Sequence, residues 1–384
     1  MFEFGRDLRR RLVADKSGVA ARDGLTGGDA ALLELLDLDL LHAEAKAAET
    51  AVGRIGVADV SNARLAAAAV WREVARRTGD PIALRRAAAH AQTALDGFET
   101  AHRGADAARA RCEQAACGLL GAELFGDESL NAAAAVTLNI AAAQNGVGAA
   151  LAQAMLAAIA GRGLLAKGDA AQIVKAAVAF ETPIAALAAA GRRSGQARLA
   201  AAEHRLVRAE LLIGGAARLH DRDLAVEALA QLKTAIQGLD ASYEPLLWVR
   251  AQALRGVALA ALGEMEGDVG LIAEGVETLA DAVESASRDH SPLDWARAQA
   301  MLGASLQTLG EASTAERAFE KAISCFDRAN TVLKDLRALS LSAHVAGARA
   351  VCLARCAELT GDLAVLDAAE AAFRAELSNR SAAA

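Results

Sequence analysis

Reactive side chains are few in this 384-residue chain, and none stands at a spacing that points to known chemistry. The seven histidines are His42, His90, His102, His204, His220, His290 and His344. None shares a helix face with a carboxylate at metal-binding spacing, and the adjacent Glu203 and His204 point apart. They read as surface or capping residues. The five cysteines, Cys112, Cys117, Cys325, Cys352 and Cys356, are odd in number and include no CxxC. A disulfide framework or a zinc site is therefore not expected. Cys352 and Cys356 share one helix face; burial as small apolar residues is the plain reading, redox or metal function the alternative. The motifs GxxxxGK[ST], GxGxxG, HExxH and GxSxG are all missing, so no enzyme and no cofactor is expected. Gly146 and Gly148 are two glycines in a loop between Ala-rich helices.

Side chains that could bind are easier to find. At the start, Phe2, Phe4, Leu8 and Leu12 alternate with Arg6, Arg9, Arg10 and Arg11. A short basic amphipathic helix can lie on an anionic membrane, or equally cap the open end of a helical array. Trp71, Trp248 and Trp295 could face a ligand, but a large ring more often fills a gap between packed helices. Arg192, Arg193 and Arg198 form a small basic loop, too small for nucleic acid. The net charge of −7 and a pI of about 5.6 also argue against a nucleic-acid partner.

The elements that must position these residues are helices. Roughly a quarter of the chain is Ala, and only 3% is aromatic, which favours helix over sheet. A turn signal recurs at intervals of 42 to 52 residues: Gly28-Asp29, Gly79-Asp80, Gly126-Asp127, Gly168-Asp169, His220-Asp221, Gly263-Glu264, Gly310-Glu311 and Gly361-Asp362. Gly267-Asp268 is a second copy of the sixth. Gly ends one helix and the acidic residue caps the next. Pro81, Pro183, Pro245 and Pro292 sit where helices should begin, and Ser291-Pro292-Leu293-Asp294 resembles a capping box. These signals predict a basic segment over 1–25, an Ala-rich helical half over 26–190 and a more regular half over 191–384. Ser129 to Gly161 carries no charged side chain; its Gly, Asn and Gln residues make it a packed hairpin rather than a membrane span. The Ala and Arg bias is that of a GC-rich bacterial coding sequence.

Two segments match residue for residue 47 positions apart: Pro245, Trp248, Arg250, Gly263 and Glu264 against Pro292, Trp295, Arg297, Gly310 and Glu311. Leu302, Gly303, Leu306, Gly310, Ala315, Phe319 and Ala322 resemble a tetratricopeptide repeat. Paired glycines recur at Gly256/Gly263 and Gly161/Gly168. The resemblance implies an all-α, right-handed superhelix of about eight antiparallel helix pairs. It also implies that the first helix of each pair lines a concave groove. Arg250 and Arg297 would then hold a partner's carboxylate, with Arg162 and Gln307 facing the same groove. The function expected is a cytoplasmic scaffold or adaptor that binds a peptide or helix of another protein. The alternative is a ligand- or lipid-binding sensor with an apolar pocket near the uncharged hairpin, peripheral to the membrane. Leu366, Phe373 and Leu377 leave an apolar face at the end of the chain, suited to a second copy or to a further repeat.

Overall fold

The structure is a computed structural model that describes residues 31–53, 58–167 and 170–383; the side chains of 31, 166, 167, 170, 171 and 375–383 are left aside. The basic segment with Phe2, Phe4, Arg9, Arg10 and Arg11, and the turns at Gly28 and Gly168, lie outside the described residues. Every regular element described is a helix. They are α1 (Ala31–Leu35), α2 (Leu38–Val52), α3 (Val60–Thr78), α4 (Pro81–Thr100), α5 (Gly104–Phe125) and α6 (Glu128–Ala142). There follow α7 (Val147–Lys167), α8 (Ala170–Val178), α9 (Glu181–Gly191), α10 (Gly195–Leu219), α11 (Arg222–Gln237) and α12 (Pro245–Glu266). The chain closes with α13 (Val269–Ser285), α14 (Pro292–Ser313), α15 (Glu316–Asp335), α16 (Leu339–Thr360) and α17 (Leu363–Ala383).

The pairs form where the turn signals stand. At the first complete one, Gly79 takes φ +70° and ends α3, Asp80 accepts from the Ile82 amide at 2.8 Å, and Pro81 opens α4. Asp127, Asp221, Asp268 and Asp362 cap their helices in the same way. Two turns differ from expectation. Gly263-Glu264 and Gly310-Glu311 are inside α12 and α14; the turns come four residues later, at Gly267-Asp268 and Thr314-Ala315. The glycines are there because the partner helix touches them. A Cβ on Gly263 would lie 2.7 Å from the Ile272 nitrogen, and one on Gly310 would lie 2.8 Å from the Phe319 ring.

Helix pairs stack into an all-α solenoid. The first helices of the pairs, α3, α5, α7, α10, α12, α14 and α16, pack successively on one another and form the inner row. Each second helix packs on its inner partner from outside. The α8–α9 unit is broken at Ala179–Phe180, where Pro183 removes an amide donor. Arg208 of α10 donates at 2.9 Å to the Ala177 carbonyl, which also accepts the Phe180 amide, and pairs with Glu181 and Glu227.

The row does not stay open. α14 packs against α3, α16 against α5, and α1 against α10 and α12. One core therefore joins Leu33, Trp71 and Leu124 to Leu293, Phe326 and Cys352, and a second runs unbroken from Ala157 to Leu262 across the boundary near residue 190. Trp248 and Trp295 are half-buried and pack on the first core. Three helical stretches are long and apolar enough to cross a membrane: Val147–Leu165, Gln172–Gly191 and Pro245–Glu266. Each here packs against neighbouring helices. The inner face of the Ser129–Gly161 hairpin is filled by Ala134, Leu138, Ala141, Ala152 and Met155.

Candidate functional site

Closure of the inner row brings charged side chains from six helices into one lumen. From α3, Arg72 pairs with Glu113 of α5, and Arg76 bridges Glu73 and Asp294 of α14 at 2.8 and 2.7 Å. Arg297 of α14 pairs with Glu123 of α5, and Arg250 of α12 reaches Glu210 of α10 at 3.4 Å. Arg76, Arg297 and Arg250 keep 24%, 26% and 32% of their side-chain surface accessible, so water reaches this space. The lumen is a wet mosaic of opposite charges rather than a dry core.

Three of the four residues expected to line a groove converge here. Enclosure alone would push the Glu123 carboxyl up, but Arg297, Arg162 and Arg250 outweigh it and hold it below the usual carboxylate range. Enclosure would likewise lower Arg250, and Glu210, Glu203, Glu123 and Asp294 together raise it instead. Enclosure opposes the charge on Glu203 too, yet His204, Arg250, Arg72 and Arg76 keep its carboxyl low. Glu203 and the exposed Arg162 make no hydrogen bond or ion pair among the described residues. Gln307 does not join the others. It donates to Glu311 of its own helix at 3.0 Å, and Glu311 lies 3.7 Å from Arg355 of α16.

The expected capping box fails for a reason that matters to the site. Ser291 donates to Asp294 at 2.6 Å, and no side chain caps the α14 amides. Asp294 instead accepts Arg76 across the ring. Enclosure opposes its charge, but Arg76, Arg297 and Ser291 hold its carboxyl low. Arg72, Arg76 and Glu123 were not singled out from the sequence, and Glu203 and Asp294 were not read as members of this site. The signal was there: each is a charge placed among the apolar residues of an inner helix, as in Trp71-Arg72-Glu73-Val74-Ala75-Arg76.

Other expected sites fall elsewhere. All five cysteines are free and buried, and burial pushes the Cys112 and Cys352 thiols up to about 12. Among the described residues no His, Cys, Asp and Glu cluster could hold a metal ion. Arg192 and Arg193 are exposed in a tight turn where Gly191 packs on the backbone of Arg198. Leu366 and Phe373 stand exposed on α17, one face of the last helix, while the side chain of Leu377 lies outside the described residues.

No protein-family model matches the sequence, and no curated protein matches it. Among solved structures, a protein described as "Circular tandem repeat protein with novel repeat topology and enhanced subunit contact surfaces" aligns over 93% of this chain and 93% of its own. Identity is 16% and the TM-score is 0.29, a likeness that says nothing further about this chain.

Proposed function

We propose that this helical-repeat protein is a non-enzymatic scaffold whose inner lumen receives an acidic segment of another protein. The observation that supports this reading is Arg162: it is open to solvent, makes no ion pair among the described residues, and stands where Arg250 and Arg297 also face Glu123. An incoming carboxylate can take Arg162 without breaking any ion pair seen among the described residues. It can then compete with Glu210 for Arg250, whose 3.4 Å contact is long for a charge-assisted hydrogen bond. Arg suits the exchange because its planar fork binds a carboxylate through two parallel N–H groups. A complex in the micromolar range corresponds to about −8 kcal/mol, which a few such contacts and some groove burial can supply. This reading carries with it a cytoplasmic site of action, in keeping with five unpaired thiols.

The test compares two baits in extract from the source cell, the wild-type chain and Arg162→Glu with Arg250→Glu. A protein held by the first and lost from the second, with helicity unchanged, supports the reading. A partner held equally by both places recognition outside the lumen. A second reading rests on Val136, Ile140, Val174 and Val178, all exposed on the outer helices α6 and α8. These suit a peripheral contact with lipid, and sedimentation with anionic vesicles checks it. Self-association through Leu366 and Phe373 is a separate proposal; a dimeric mass that falls to monomer in Phe373→Glu would support it.

A further inference from the structure

The short helix α1 is held by residues from three distant places. One Glu34 carboxyl oxygen, Oε2, accepts both the Leu246 and Leu247 amides, at 2.9 and 3.1 Å, at the start of α12. The fully buried Arg77 of α3 donates to the carbonyls of Leu33 and Leu36. His290, in the loop before α14, lies with Nε2 at 2.7 Å from the Glu34 carbonyl, so Nε2 carries the proton and donates. α12 has no side-chain cap of its own, so Glu34 serves as its cap from 212 residues away. Without α1 the first amides of α12 would lose their acceptor, and the Arg77 guanidinium would lose its two carbonyl acceptors and keep Glu73.

We propose that Leu33–Leu36 is a releasable latch on the ring of inner helices, seated while Glu34 and His290 are both uncharged. Glu34 faces Arg76, Arg77 and Glu73 of α3, the α12 amides and His290. His290 faces Arg77 and Glu73 of α3, with Glu34 and Asp37 on the latch side. Burial is the largest influence on Glu34 and carries its carboxyl up to about 7. A released latch would titrate at the ordinary glutamate value near 4.3. Closure is therefore strongest in acid with respect to Glu34 and weakens as pH rises towards 7. Burial, then Arg77, lowers His290. A released His290 takes up a proton near pH 6.5 that the seated one refuses, so closure weakens as pH falls below that value. The two groups pull in opposite directions, and the wild-type latch has an acid limb and an alkaline limb of release.

Hydrogen exchange of the full chain, read by mass spectrometry as protection factors from pH 5 to 8.5, tests this without any partner. The segments to follow are residues 31–36 and 245–248, which should gain and lose protection together. Glu34→Gln keeps an acceptor for the α12 amides but cannot ionise, so it should lose the alkaline limb and keep the acid one. His290→Gln can still donate to the Glu34 carbonyl. It should lose the acid limb, with protection falling roughly 30-fold between pH 5.5 and 8. Far-UV circular dichroism confirms that each chain is folded. Parallel profiles in all three chains overturn the proposal, as does protection at 31–36 that changes while 245–248 stays fixed.

Discussion

The interface within a helix pair and the interface across the ring are built from opposite materials. Between α12 and α13, Gly256, Gly263 and Gly275 let two backbones meet: a Cβ on Gly256 would lie 2.6 Å from the Gly275 carbonyl oxygen. Charge stays at the exposed edge, where Arg255 reaches Glu274 at 3.5 Å. Across the ring, α1, α3 and α14 meet through Arg76, Arg77, Asp294, His290 and Glu34, with hydrogen bonds lent from one half to caps in the other. Close approach of small residues tolerates no added atom. A charge network tolerates change where water reaches it and fails where it does not.

Four substitutions set these two modes against each other. Arg77→Ala should have the largest effect, because it removes the donors to the Leu33 and Leu36 carbonyls and the fully buried guanidinium that pairs with Glu73. Urea unfolding should show a loss of about 3–5 kcal/mol. Gly256→Ala should cost about 1–3 kcal/mol in the same assay, since backbone atoms on α13 cannot step aside. A loss below about 0.5 kcal/mol would mean that the pair is not held at backbone contact. Thr314→Gly should act in the other direction. Thr314 holds φ +53° with a branched Cβ, and relief of that strain should raise stability by about 1 kcal/mol, seen as a higher melting temperature. Arg297→Ala should cost least, below about 1 kcal/mol, because its pair with Glu123 is part-solvated. A much larger loss there would show that the lumen is drier than its exposed side chains indicate.

The same contrast decides what could be read from the sequence. Helix pairs were legible because each signal is local: Asp80 with Pro81, Asp127 after Gly126, Asp362 after Gly361. Gly263 and Gly310 misled because a glycine required by a neighbouring helix looks, in sequence, like one required by a turn. Arg250 and Arg297 were found through their 47-residue repetition, but their carboxylate partners were not. Glu123, Glu203 and Asp294 sit at unrelated positions in unrelated repeats. Ring closure leaves no periodic trace, since Glu34 and Leu246 have nothing in common but their meeting.

That closure changes how the molecule should come apart. An open solenoid unravels from its ends, and its stability is close to a sum of units and nearest-neighbour contacts. Here the final inner helix, α16, also leans on α5, and α14 on α3. The terminal repeats are thus bound on two sides, fraying is suppressed, and unfolding becomes a shared event. Folding bears the converse cost. The last contacts to form join the most distant parts of the chain, so the ring should close slowly after its helix pairs have already assembled.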